Sequence, residues 1–358
     1  MSYRSVRIIL VLILMCALIV SGIRAQDNLP TPFFDGENAL SHVANHVNVG
    51  PRPTATIGNI AAGNQIIAYL TGLGWQTSED WHVIGFGDQS ELSPEALITL
   101  EAWQPAHIGQ LLVNHFAENT QAVSVDPLII PVRNLVASYG SGSTIIIGAH
   151  YDSRIFSDKD PDESKRRLPM PGANDGGSGV GVLLELGRVL SEYYTPNQEI
   201  RFVFFDAEDN GRIEPFPSLI PSTSGYLVGS MLYASRLDLN SEDIEYMLLV
   251  DLVGEIDQEF PIEGYSAQSA PEIVEGIWTA AAELGYSAQF PNRVRGSITD
   301  DHVPFLQRGI RAVDIIDLDY AHWDTSEDTL DKIDPQSLER VGQVLEIYLE
   351  RTGAITRK

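Results

Sequence analysis

An α/β domain with a mixed, largely parallel central sheet flanked by helices is predicted by three observations. From about Pro131 onward, short apolar runs alternate with helical segments at the spacing of βα units. The runs are rich in β-branched and aromatic residues and show no polar alternation, as strands buried on both faces do. Four of them also end in acidic or imidazole residues, where an open α/β sheet binds its ligands. Residues 144–149 run into His150-Tyr151-Asp152, and residues 201–205 into Asp206-Ala207-Glu208-Asp209. Residues 246–250 run into Asp251, and residues 311–316 lead to Asp317, then His322 and Asp324. Such residues at one strand end could be chance; at all of them they describe a site.

The other elements follow in chain order. Residues 1–25 have Arg4 and Arg7, an apolar stretch at 8–20 and Ala25 before polar residues, which is the layout of a secretory signal peptide. The stretch is shorter than the roughly 20 residues of a membrane span, so membrane anchoring is expected only if the segment stays uncleaved. Residues 26–35 are expected to form a tether, and residues 36–351 a single domain. A helical pattern covers 36–73, interrupted by Gly50-Pro51-Arg52-Pro53-Thr54. Residues 86–127 fit no clear period and are expected to be an insertion against the main sheet. Gly172-Ala173-Asn174-Asp175-Gly176-Gly177-Ser178-Gly179 opens a helix; no Lys-Ser/Thr pair follows, so these glycines serve close packing rather than phosphate binding. Polar loops at 158–171 and 212–224 leave strand ends and are expected to border a pocket. Leu338, Val341, Val344, Leu345 and Leu349 recur at helical spacing and predict a closing helix over 335–351.

Composition narrows the chemistry. The only cysteine among 358 residues is Cys16, so a processed chain has no disulfide, thiolate ligand or cysteine nucleophile, and any metal must be held by His and carboxylates. The formal charge of −26 argues against nucleic-acid binding and suits an exported protein that meets cationic peptide termini.

The motifs His150-Tyr151-Asp152-Ser153-Arg154, Gly172-Ala173-Asn174-Asp175, Phe205-Asp206-Ala207-Glu208-Asp209 and Asp300-Asp301-His302-Val303-Pro304-Phe305 resemble those of the M28 zinc peptidase superfamily. The resemblance is nearest to its glutaminyl-peptide cyclotransferase branch. It implies a three-layer αβα sandwich of the zinc aminopeptidase (phosphorylase/hydrolase-like) type. It also implies that Asp175 and Asp209 hold zinc, that Glu208 is the general acid/base, and that Asp251 and Asp300 complete a proton-handling network. His150 matches a ligand of the second zinc of aminopeptidases, retained without metal in cyclases, and Trp323 matches the aromatic wall of the pocket. One Zn2+ is expected for a cyclase and two for an aminopeptidase. Asp152 is expected to orient a neighbouring His or Arg, His302 to hydrogen-bond behind the site or cap a helix, and Asp301 to cap the following turn.

One departure stands out. Trp323-Asp324-Thr325 replaces the family's Trp-His-Thr, and His322 lies two residues before Asp324. On an extended segment the two project to the same face, so either can reach the metal. With Asp324 the donor set is all oxygen and less selective for zinc; with His322 it is mixed. The chain is therefore expected to be an exported metal enzyme acting on peptide N-termini. Cyclisation of N-terminal Gln is preferred on Asp300, with aminopeptidase hydrolysis as the alternative and a non-catalytic binding domain, resting on the Asp324 change, as a third.

Overall fold

The computed structural model describes residues 30–85, 129–209 and 225–358. Six strands form the main sheet: β1 (Gln76–Gly85), β2 (Ile129–Tyr139), β3 (Thr144–His150), β5 (Glu199–Phe205), β6 (Ile244–Asp251) and β7 (Ala312–Ile316), in the order β1-β2-β5-β3-β6-β7. β5, β3, β6 and β7 are parallel; β1 and β2 add an antiparallel edge. A small second sheet pairs β4 (Tyr194–Pro196) with β8 (Ile355–Arg357).

The helices are α1 (Gly36–Val47), α2 (Ile57–Gly72), α3 (Gly177–Tyr193), α4 (Val228–Arg236), α5 (Gly264–Ser269), α6 (Pro271–Glu283), α7 (Val303–Gln307) and α8 (Pro335–Arg351). Strand side chains alternate between two cores. Ile145, Ile147, Phe202, Phe204, Leu248 and Val250 bury against α1, α3, α6 and α8. Ile146, Val203, Phe205, Met247 and Leu249 bury against Tyr233 and Ala234 of α4 and Phe305 of α7. The fold is therefore the expected αβα sandwich. Both strand faces are covered, which is why the strands read as unbroken apolar runs.

Topology decides where the site falls. From β3 the chain passes through α3 to β5 on one side, then through α4 to β6 on the other. The carboxyl end of β3 is thus a topological switch point, where a crevice opens. His150 closes β3, Asp206 follows β5 and Asp251 closes β6.

Two expected boundaries are corrected. The end of the predicted tether is docked: Phe33 and Phe34 donate backbone N–H bonds to the Glu346 carboxylate, Phe34 is buried, and Asp35 N-caps α1. Aromatic side chains beside Pro residues read as linker, yet Phe33 stacks on Tyr193 with ring centroids 4.1 Å apart. At the other end the fold continues past residue 351 into β8, which pairs with β4. The helical break at 50–54 and the closing helix over 335–351 are as expected. The predicted signal segment and the loop 212–224 lie outside the described residues, as do residues 86–127 of the predicted insertion. No helix among the described residues is long and apolar enough to cross a membrane.

Candidate metal centre and active site

Three strand ends and three loops deliver the site. At the end of β3, His150 Nε2 lies 3.0 Å from Asp175 Oδ1 and 3.2 Å from Asp251 Oδ1, and its Nδ1 lies 3.5 Å from Asp152 Oδ1. Burial disfavours a proton on His150, but Asp251, Asp152 and Asp175 outweigh it and raise its pKa well above the usual histidine value.

Beyond β5, the Asp206 carboxylate accepts from Asn59 Nδ2, the Arg133 N–H and the Ala207 N–H, each at 2.9 Å. This anchors a sharp turn at Ala207, whose φ of 57° is left-handed. A non-glycine residue held there costs about 1–3 kcal/mol and marks a constrained site. Asp152 holds the far side of the turn, accepting the Glu208 and Asp209 N–H groups, both at 3.2 Å. The turn aims the adjacent Glu208 and Asp209 differently: Asp209 joins a group of carboxylates and Glu208 does not. Asp152 thus positions the turn, and among the described residues it belongs to no group that could hold a metal. Asp152→Asn replaces one acceptor with a donor facing an N–H. It is expected to lower kcat/KM and zinc affinity by roughly 10–100-fold, the usual effect of losing an outer-shell partner, without loss of fold by circular dichroism. Wild-type values for both would mean that the turn holds without it.

After β6, the Asp251 Oδ1 accepts the Leu252 N–H at 2.8 Å, and Leu252 also has a left-handed φ, 51°. Asp175 is set by the Asp328 carboxylate, which accepts the Asn174 and Asp175 N–H groups at 2.9 and 3.1 Å. The fully buried Arg52 donates to the carbonyls of Pro171 and Gly172 at 2.9 and 2.6 Å. Gly172 has φ 65°, and a Cβ there would meet Arg52 Nη2 at 2.6 Å, so only glycine allows this approach.

Two groups of donors come together. His150, Asp175 and Asp251 form one, and Asp175, Asp209 and Asp324 the other, with the donor atoms of each within 4.8 Å of one another. Asp175 belongs to both. At that spacing and an effective dielectric near 20, ionised carboxylates repel by roughly 3 kcal/mol per pair, so the second group needs counter-charge. Asp209 Oδ2 and Asp324 Oδ1 are buried and without a hydrogen-bond donor. Open, buried, convergent oxygens fit a divalent cation. The mixed group containing His150 fits zinc by donor type.

The backbone over 322–324 is not extended, which overturns the premise that His322 and Asp324 share a face. Asp324 has φ 57° and is buried in the second group. His322 lies in neither group; its carbonyl accepts the Thr325 N–H and Oγ1–H, and its ring packs edge-on to Tyr320 at 5.5 Å. The left-handed residue breaks the two-residue alternation. Asp324→Ala is therefore expected to weaken zinc at least tenfold and His322→Ala to leave it within about twofold, read by calorimetric titration. The opposite ranking would return the ligand role to His322.

Glu208 is half-buried beside these groups but belongs to neither. Burial raises its pKa well above the usual carboxylate range, with Asp209, Asp301 and Asp300 pushing the same way against His150. Asp300 is raised well above its usual value by burial and then by Asp251 and Asp301. His302 is fully buried behind the site, 3.3 Å from Glu263 Oε2 and 3.6 Å from Asp314 Oδ2, outside both metal groups. Asp301 does not cap the turn: the N-cap of α7 is His302, with no side-chain cap bond, and Asp301 is buried. A cavity of about 420 Å³ opens onto Asp175, Glu208, Asp209, Asp251 and Asp300, with Leu252, Ile298 and Trp323 on its walls.

The sequence assigned no role to Arg154, Lys159, Arg52 or Asp328. Arg154 Nη1 donates to Asp209 Oδ1 at 2.6 Å, and Lys159 Nζ lies 2.7 Å from Asp324 Oδ2. Their placement depends on loops meeting across the crevice, and only the position of Arg154, four residues after His150, hinted at it.

A switch-point crevice with two three-donor groups that share one aspartate, and Glu208 4.0 Å from His150 beside them, is the donor pattern of a metal site in an α/β fold. The chain belongs to peptidase family M28, whose profile matches residues 134–348. It is 30% identical over 213 residues to aminopeptidase YwaD of Bacillus subtilis, covering 56% of this chain and 39% of that protein. It is 25% identical over 235 residues to the glutaminyl-peptide cyclotransferase of Gloydius blomhoffii, covering 57% of this chain and 61% of that one. The chain thus spans less than two thirds of these relatives' own length. Among solved structures, Porphyromonas gingivalis glutaminyl cyclase superposes with TM-score 0.73 at 28% identity, over 90% of this chain and 100% of that one. A Zn-dependent exopeptidase from Parabacteroides distasonis also reaches 0.73, at 31% identity, over 89% of this chain and 99% of that one.

Proposed function

We propose that the protein is an exported zinc enzyme acting on peptide N-termini, and that it cyclises N-terminal glutamine to pyroglutamate with release of ammonia. The observation that carries this is Asp300, buried in the same pocket as Glu208 and Asp251 and raised in pKa beside them. Export is supported by Arg4, Arg7, the apolar residues 8–20 and Ala25.

Asp175, Asp209 and Asp324 would hold the single zinc of this reaction, which supplies a Lewis acid for the side-chain amide carbonyl of the substrate. Glu208 takes a proton from the α-amine as that nitrogen bonds to the amide carbon. It returns the proton to the amide nitrogen, which leaves as ammonia, so no water is consumed. A carboxyl group with a raised pKa suits both transfers near neutral pH. Asp300 favours the protonated form of Glu208 between the two, and Asp251 in turn raises Asp300. Leu252, Ile298 and Trp323 line the same cavity and would pack against the apolar part of the substrate.

A second reading has its own support. The group His150, Asp175 and Asp251 offers a further metal position sharing Asp175, and with two ions Glu208 would instead activate water against the first peptide bond. Incubation with a peptide beginning in Gln decides between them. The cyclase releases ammonia and leaves a product lighter by one ammonia; free amino acids from ordinary aminoacyl substrates without that product would make it an aminopeptidase. Metal analysis before and after chelation gives the ion number, and a protein that binds none would be a binding domain.

A further inference from the structure

We propose that Lys159 is a cap on the Trp323 ring that a divalent cation at Asp324 displaces, so that loading the metal site uncovers the aromatic wall of the pocket. The inference rests on the metal centre assigned above. Lys159 lies in the loop after β3, and its N–H donates to the Asp324 carbonyl at 3.1 Å, a backbone tie that keeps the loop beside the site. Its ammonium reaches two targets at once, lying 2.7 Å from Asp324 Oδ2 and 2.9 Å above the centroid of the Trp323 ring. Both Lys159 and Trp323 line the cavity. The ring face that an apolar or amide group of a substrate would use is therefore covered by a cation.

The two cations beside the all-carboxylate group differ in freedom. Arg154 is held at Asp209, Asp158 and Tyr226, and its side chain is 3% exposed. The Lys159 side chain is 43% exposed, with Asp324 as its ionic partner. Its ammonium can swing into water, whereas the Asp324 carboxylate, 1% exposed, cannot, so Lys159 leaves only when another cation takes its place at Asp324. Charge decides the rest. The Arg154 guanidinium is shared by Asp158, Asp209 and, at 3.5 Å, Asp324, so Lys159 is held by the single charge of Asp324. Lys159 balances that charge, and a divalent cation on the same carboxylate overbalances it. A cation bound to Asp209 Oδ2 and Asp324 Oδ1, the buried oxygens without donors, leaves no net charge to hold the ammonium and repels it directly.

Zinc titration of the chelated, dialysed full chain, with acylation of lysine amines read by mass spectrometry, tests this. Saturating Zn2+ should raise the acylation rate of Lys159 several-fold while Lys165, paired with Glu327 at the surface, stays unchanged. Lys159→Met should bind Zn2+ several-fold more tightly than wild type, because the internal competitor is gone. Asp324→Asn should leave Lys159 reactive with or without zinc. Zinc that binds by calorimetry without changing Lys159 reactivity, or weaker binding in Lys159→Met, overturns the cap while the metal centre stands. No zinc binding at all overturns both.

Discussion

Glu208→Gln is expected to lower turnover by roughly 100-fold or more, in keeping with the loss of a general acid/base, while zinc content stays at the wild-type level. Glu208 stands at the left-handed turn after β5 and has no place in either donor group. Its pKa is raised by burial and by Asp209, Asp301 and Asp300, the direction that the proposed proton transfer needs. Glutamine keeps the shape and the Asp152-anchored backbone but can neither take nor return that proton. Steady-state rates on a Gln peptide, with metal analysis of the same sample, check it. Full activity would remove Glu208 from the chemistry, and lost zinc would make it a ligand.

Asp175→Asn is expected to have the largest effect on metal, weakening zinc by more than the roughly 10–100-fold typical of an outer-shell loss and abolishing detectable turnover. Asp175 is the one residue common to both donor groups, so either ion count depends on it. Its backbone N–H is fixed by Asp328, and that bond survives the substitution, so the change acts on the ligand atom rather than the loop. An amide oxygen carries no charge to offset a divalent cation among carboxylates. Zinc affinity by competition with a chelator, with thermal unfolding as a check on folding, measures it. Near-wild-type affinity would place the metal elsewhere.

Much of the fold was legible because burial on both faces leaves a simple mark. β3, β5, β6 and β7 each lie within about two residues of an apolar run, and their polar ends mark the carboxyl edge of the sheet. The break at Gly50-Pro51-Arg52-Pro53-Thr54 separates α1 from α2 because proline removes a donor and restricts the residue before it. β1 was not legible. It is an edge strand of mostly polar residues, and its antiparallel pairing with β2 is set by a partner about fifty residues away.

The residues of the candidate site divide the same way. Asp175, Glu208, Asp209, Asp251 and Asp300 could be named from sequence because each sits at or just beyond a strand end or in a family motif, and position in the chain nearly sets position in the crevice. Whether His322 or Asp324 joins the carboxylate group could not be named, because it turns on one left-handed φ at Asp324 that side-chain alternation does not encode. The service of Asp152 to the Glu208 turn, the burial of His302 behind the site, and the approach of Arg154 and Lys159 to the carboxylates are likewise products of tertiary structure. A periodic pattern reports which face of an element is buried, a property of neighbours along the chain. Charge balance within a pocket is a property of loops that meet only after the sheet has formed, so the ligand types were written locally and their counter-ions were not.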